Sequence, residues 1–362
     1  MKLHLIFIGN KFVYNSSLKE YVIRRIENET EFISSITYFK SSDNSLFLYL
    51  EEQLNSEDEI IIVTTKKNFP TIGKLICTAT SDNQVVKDGM LIPQKASLFK
   101  EKSYLLEHDN TLVNVMQIDE GEKMPQILLN SKETQATVHV FGEEKDTLIS
   151  ILSPISQMYE VNFFVNKEVE GWLRIDVVSK RYGDISKFVN GAKKLLPKKL
   201  IASENIVSHI IERLDKVNKK VSFAESCSGG LLAYYFTKHN GASKILEGSL
   251  LTYSNALKEN WLAVSHETLV TNGAVSSEVV AEMSEGAMNV SSADYTLSLS
   301  GIAGDGGGTD DKPVGTVHIG VRTKEKHMEE HLLFNGDRNY IQHQSAMYAI
   351  KMLILIDKET FF

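Results

Sequence analysis

The chain has 362 residues, 42% hydrophobic, 24% charged and 9% aromatic, with six prolines and a formal net charge of −8. That length predicts two or three domains with cores of their own, and the composition is that of a folded protein rather than a disordered or collagen-like one. The acidic balance argues against bulk attraction to nucleic acid, and no segment approaches the ~20 apolar residues of a membrane-spanning helix.

In the first segment, taken as residues 1–125, Leu3–Ile8 is an apolar run too short for a signal-peptide core and reads as a first buried strand. Ile60–Val63 reads as a second buried strand, and Leu18–Ile26 has helical spacing. This alternation suggests a parallel α/β layer. Residues 130–200 read as a small α+β unit, with strands at Thr137–Phe141 and Trp172–Val178 and helices at Asp146–Met158 and Ile185–Leu196. Lys193, Lys194, Lys198 and Lys199 form a basic run that reads as a solvated linker face.

The third segment, 201–362, opens with a helix marked by Ile206, Ile210, Leu214 and Val217. Strands are expected at Val221–Phe223, Ser249–Tyr253, Tyr295–Leu299 and Gly315–Val321. Helices are expected at Leu231–Lys238, at Val279–Val290 with Ser276 as N-cap, and at Tyr340–Ile356. The fold class is α/β: a three-layer α/β/α C-terminal domain behind two upstream domains. Cys77 and Cys227 lie far apart with no metal-ligand spacing, which argues against a disulfide framework or structural zinc and for a reducing cytoplasm.

Polar residues gather at four places in the last segment. Glu225-Ser226-Cys227-Ser228-Gly229-Gly230 sits where a strand gives way to a helix; it suits either a capped turn or a cradle for an anion or amide. Gly241 to Lys258 includes Ser243, Thr252, Tyr253, Ser254 and Asn255, with Asn255 and Lys258 one helical turn apart. Lysine can serve a serine nucleophile as base only when burial or a nearby cation depresses its pKa, and sequence does not reveal burial. Ser300 to Thr309 is glycine-rich, fits neither the P-loop nor the dinucleotide fingerprint, and reads as a phosphate or oxyanion loop or as a surface loop. Arg338, in Gly336-Asp337-Arg338, suits a phosphate or a neighbouring carboxylate.

In family order, AESCSGG (224–230), Gly241-Ala242-Ser243, TYSNALK (252–258), GAVSSEVVAEM (273–283), SGIAGDGGG (300–308), KPVGTV (312–317) and FNGDR (334–338) resemble the C-terminal nicotinamide-nucleotide amidase domain of the CinA family. The resemblance implies hydrolysis of the carboxamide of nicotinamide mononucleotide to nicotinate mononucleotide and ammonia. The expected roles are Ser243 as nucleophile, Lys258 as base and then acid, and Tyr253 as relay, with water attack oriented by Ser243 as the alternative. Glu225, Ser226, Ser228, Gly229, Gly230, Asn255, Gly301, Gly304 and Thr316 would line the substrate site, and Arg338 would meet the 5′-phosphate. Cys227 is expected to be a packed thiol. No cofactor or metal is expected.

Two positions depart from the family pattern: Asp305, where it has proline, and Gln342, where it often has arginine. The first segment resembles a degenerate copy of the family's molybdopterin-binding-like domain. Gly9-Asn10-Lys11 stands for Gly-Asp-Glu, Lys66 to Thr71 for the GGLGPT loop, and Gly73-Lys74 for an aspartate pair. The resemblance therefore implies that the pyrophosphatase activity of that domain is lost while its fold is kept, and that 130–200 is the family's linking domain. It implies a cytoplasmic homodimer acting on a small nucleotide, with neither membrane nor direct nucleic-acid partners. A catalytically idle scaffold and a competence-associated protein are the other classes considered.

Overall fold

A strand with apolar residues on both of its faces needs cover on both. The first unit, Met1–Glu133, provides it for β1 (Leu3–Ile8) and β3 (Glu59–Thr64). In the computed structural model, which describes residues 2–30, 33–129, 135–179, 183–304 and 306–362, β3 is buried at every position. Between these strands come α1 (Asn10–Tyr14), α2 (Ser16–Glu29), β2 (Ile33–Phe39) and α3 (Leu46–Gln53). After them come α4 (Phe69–Ala79), the hairpin β4 (Gln84–Lys87) and β5 (Met90–Pro93), then β6 (Leu98–Lys100), β7 (Ser103–His108) and β8 (Thr111–Gln117). The main sheet runs β2-β1-β3-β8-β7-β6, with its first four strands parallel and the last two antiparallel. Ile6, Ile8, Ile60 and Ile62 face one core and Leu5, Phe7, Ile61 and Val63 the other. The α/β layer expected from the apolar runs is present.

The second unit, Thr134–Phe362, holds two sheets. The smaller comprises β9 (Gln135–Phe141), β10 (Val161–Val169), β11 (Trp172–Ser179) and β12 (Leu200–Ala202), in the order β10-β11-β9-β12. It is covered by α5 (Lys145–Met158) and α6 (Ile185–Leu195).

The larger part begins with α7 (Ile206–Lys216), β13 (Val221–Glu225), α8 (Leu231–Thr237), a 3₁₀ turn at Ala242–Lys244 and β14 (Leu246–Leu251). It continues through α9 (Asn255–Leu262), α10 (His266–Asn272), α11 (Ser277–Ser291), β15 (Tyr295–Gly301), β16 (Thr316–Thr323), β17 (His327–Leu333), α12 (Arg338–Ile356) and α13 (Lys358–Phe361). The sheet order is β14-β13-β15-β16-β17. The first three strands are parallel and the last two antiparallel.

Helices α9, α10 and α11 bury one face around Ala224, Leu262, Met283 and Ala287. Helices α7, α8, α12 and α13 bury the other around Phe223, Leu232, Leu299 and Leu353. This is the three-layer α/β/α arrangement expected. Phe141 and Trp172 of the small sheet, stacked at 5.3 Å, join that second core. Residues 135–179, 183–304 and 306–362 are thus packed together in one compact unit.

Candidate active site

The carboxyl ends of β13, β14 and β15 open at one pole of the five-stranded sheet, where polar loops meet. In such sheets ligands bind beyond the carboxyl ends of parallel strands.

Glu225, the last residue of β13, is fully buried and turns toward α8. Its carboxylate accepts from Ser228 Oγ at 2.7 Å, Ser249 Oγ at 2.9 Å, the Leu232 N–H at 3.0 Å and the Ala233 N–H at 2.9 Å. Unpaired N–H groups at a helix start are satisfied here from within the protein. Gly229 and Gly230 take φ of +63° and +94°, which let the chain reverse into α8. Glu225 and Ser228 are therefore engaged in building the turn, which corrects their expected place as substrate contacts. A carboxylate that already has four donors has little capacity left for a ligand.

Ser226, one residue on, faces the opposite side of the sheet and is 7% exposed. Its N–H donates to the Leu299 carbonyl at 3.0 Å. Its Oγ accepts from Lys258 Nζ at 3.0 Å. Lys258 sits in α9, on the helix cap set by Ser254, whose side chain accepts from the Leu257 N–H. The ammonium also donates to the carbonyls of Thr252 at 2.7 Å and Tyr253 at 3.4 Å. No carboxylate pairs with it among the described residues, and the side chain is 1% exposed. Burial pushes its pKa down to about 8, with Cys227 acting weakly in the opposite direction. The Thr252 hydroxyl is buried without a partner among the described residues. Cys227 packs into the core, and burial pushes its thiol up to about 12. A thiol so disposed is inert as a nucleophile.

Ser243 is not at this pole. It is exposed in the 3₁₀ turn that precedes β14, where the Ile245 carbonyl accepts from the Val221 N–H at the amino end of β13. Six residues of β14 separate the two ends, roughly 20 Å at ~3.3 Å per residue. The expected Ser243–Lys258 pair is not formed; Ser226 occupies that place. Gly241 to Lys258 looked like one cluster because the strand inside it was expected at Ser249–Tyr253, whereas β14 starts at Leu246 and ends at Leu251. The useful signal for Ser226 was its position directly after a central parallel strand and before a glycine pair.

The other expected site residues divide. The Tyr253 phenol is 64% exposed and contributes no hydrogen bond among the described residues; its carbonyl meets Lys258 instead. Asn255 is exposed at the start of α9. Gly301 is required by strand packing, since a Cβ there would lie 2.8 Å from the Thr316 carbonyl oxygen. Thr316 is 2% exposed and closes its own turn by donating to the Pro313 carbonyl at 2.7 Å, so it too serves the loop rather than a ligand.

Gly304 lies against the exposed Arg338 guanidinium, where a Cβ would come within 1.7 Å of Nη2. Arg338 opens α12 beside its N-cap Asp337, which accepts from the Tyr340 N–H. One turn on, Gln342 donates to the Cys227 carbonyl at 2.7 Å. Arg338, Gly304 and Gln342 thus edge the same pole as Ser226 and Lys258. Lys312 fastens the glycine-rich loop to the carbonyls of Asn272 and Val275, both at 2.7 Å. Asp305 lies outside the described residues. No cluster of three or more His, Cys, Asp or Glu suited to a metal occurs among the described residues.

Comparison with known proteins points to the same family. Residues 203–356 match the family model described as the CinA C-terminal domain. A provisionally named competence-damage inducible protein of Thermoanaerobacter pseudethanolicus is 29% identical over 332 residues, 85% of this chain and 77% of that relative. A CinA-like protein of Thermotoga maritima is 45% identical over 148 residues, 41% of this chain and only 36% of its own length. Among solved structures, the competence/damage inducible protein CihA of Agrobacterium tumefaciens is 34% identical, covering 42% of this chain and 93% of its own, with a TM-score of 0.42. The chain belongs to the CinA family.

Proposed function

We propose that the chain is an amidase that hydrolyses the carboxamide of nicotinamide mononucleotide to nicotinate mononucleotide and ammonia, with Ser226 as nucleophile and Lys258 as general base and acid. The observation that carries this reading is the 3.0 Å contact between Ser226 Oγ and a buried Lys258 that has no carboxylate partner among the described residues. The choice of nucleotide rests on the family resemblance.

In its neutral form Lys258 accepts the Ser226 proton as Oγ attacks the amide carbon. The oxygen of the tetrahedral intermediate then needs donors, and the Ser226 N–H is committed to Leu299. We assign that role to the main-chain N–H groups of Cys227 and Ser228, distinct from the Ser228 hydroxyl held by Glu225; they make no bond to a backbone carbonyl among the described residues and face the Cys227 sulfur. Lys258 returns the proton to the departing nitrogen as the C–N bond breaks, leaving an ester on Ser226. Water, deprotonated by Lys258, hydrolyses that ester and restores the serine. Arg338, over Gly304, would hold the 5′-phosphate bidentately. No helix among the described residues is long and apolar enough to cross a membrane, which agrees with the cytoplasmic setting we propose.

Release of ammonia from nicotinamide mononucleotide by the purified chain tests the reading. Steady turnover supports it; no turnover across pH 7–9 overturns it.

A further inference from the structure

The turn that carries Ser226 is closed by a backbone bond from the Gly229 N–H to the Ser226 carbonyl at 3.1 Å. Ser226 and Gly229 are thus the first and last residues of a β-turn whose middle peptide joins Cys227 to Ser228. Neither group of that middle peptide takes part in the closing bond. It is also the peptide that differs between turn types I and II, which reverse its carbonyl and N–H while the ends stay in place. The turn alone therefore does not fix where the Ser228 N–H points.

Gln342 of α12 supplies the missing restraint. Its Nε2 donates to the Cys227 carbonyl at 2.7 Å. A trans peptide is planar and directs its carbonyl and N–H oppositely. Holding the Cys227 carbonyl toward Gln342 thus holds the Ser228 N–H away from it. Reversing the peptide would break the Gln342 bond and call for a positive φ at Ser228, which here keeps a negative one. A donor on the carbonyl also polarises the peptide, and that strengthens its N–H as a donor in turn.

The side chain making this contact stands on a rigid base. Ile341, beside it in α12, is 1% exposed, and its carbonyl accepts from the buried Ser345 hydroxyl at 2.6 Å. Arg338 lies four residues before Gln342, so both rise from one face of the helix. One meets Gly304 and the other meets the turn of Ser226. A Cβ on Gly229 would lie 3.7 Å from Gln342 Nε2, which places the amide directly alongside that turn.

We infer that Gln342 is a positioning residue of the amidase site: it locks the Cys227–Ser228 peptide in the orientation that offers the Ser228 N–H to the oxyanion. This role rests on the amidase reading above. Glutamine at this position keeps an N–H donor where the family often has arginine, and commits it to the turn rather than to a phosphate.

Steady-state ammonia release from nicotinamide mononucleotide by wild type, Gln342→Met, Gln342→Glu, Gln342→Arg and Ser226→Ala tests this. Gln342→Met removes the donor and should lower kcat about tenfold, less than loss of an oxyanion donor itself, with KM within about twofold of wild type. The pH limb set by Lys258 near 8 should stay in place. Gln342→Glu, of the same size and shape, sets a carboxylate against the Cys227 carbonyl and should lower kcat further; it carries the test if Gln342→Met does not fold. Gln342→Arg, whose Nε–H lies the same number of bonds from the backbone, should recover kcat to within about threefold of wild type. General damage to the fold would not be rescued in this way. Wild-type kcat in Gln342→Met and Gln342→Glu, a rise in KM alone, or no recovery in Gln342→Arg would each overturn the role. With Ser226→Ala inactive, such a result removes this role only. No ammonia release by wild type, or full activity in Ser226→Ala, would overturn the amidase reading and this role with it.

Discussion

Glu225 and Ser226 are consecutive residues that act on opposite faces of one sheet. The Glu225 carboxylate gathers the start of α8, while the Ser226 hydroxyl meets Lys258 of α9. Alternation carried one residue past the end of β13 separates the residue that builds the turn from the residue placed for chemistry. The buried carboxylate fixes the backbone from which the serine projects.

Glu225→Ala is expected to destabilise the second unit by about 3–5 kcal/mol, because it leaves the Leu232 and Ala233 N–H groups and two serine hydroxyls without their acceptor. Thermal unfolding measures it. A change below about 1 kcal/mol would contradict the structural role given to this carboxylate.

The rate should follow the neutral fraction of Lys258. With the free-enzyme pKa at about 8, kcat/KM for the amide should rise about tenfold per pH unit below that value and level off above it. Cys227→Ala should leave this limb in place, since the thiol is buried and held near 12. Iodoacetamide should likewise fail to inactivate the folded chain at pH 8. A pH-independent rate between 6 and 9 would exclude Lys258 as the base.

The same lysine links stability to pH. Its folded pKa lies below the 10.5 of an ordinary lysine, so between about 8 and 10 the unfolded chain binds more protons and stability rises with pH. Relative to Lys258→Met, wild type should gain about 2 kcal/mol from pH 8 to pH 10. Urea unfolding of both proteins measures the difference. Parallel pH profiles would mean that the lysine is not depressed in the fold.

Gly304→Ala should act through Arg338. A Cβ there would fall 1.7 Å from the guanidinium and displace it. KM for nicotinamide mononucleotide should rise about tenfold in Gly304→Ala and in Arg338→Ala, with kcat little changed, as expected when a remote binding contact is lost. Nicotinamide riboside, which lacks the phosphate, should be turned over equally by all three proteins. Additive effects in the double variant would show that Gly304 acts by another route.

Much of the architecture was legible from apolar runs, for a physical reason. Leu3–Ile8 and Ile60–Val63 belong to central parallel strands covered on both faces, which leaves an uninterrupted signal. The β7–β8 hairpin was not singled out; it joins the edge of that layer through antiparallel pairing across a tight turn. At the site, sequence located the right loops but not their directions. Glu225 ends β13 and Ser226 follows it directly, and that single step decides which face each serves. Ser243 and Lys258 seemed neighbours, yet β14 carries them to opposite ends of the sheet. Burial of Lys258 depends on long-range packing that no local pattern encodes.

Ammonia release from nicotinamide mononucleotide by Ser226→Ala and Ser243→Ala, assayed side by side at pH 8.5 (~half a unit above the Lys258 midpoint), tests the central claim most directly. The account predicts that Ser226→Ala loses about a thousandfold or more in kcat while Ser243→Ala keeps wild-type turnover. Full activity in Ser226→Ala, or its loss in a folded Ser243→Ala, would contradict it.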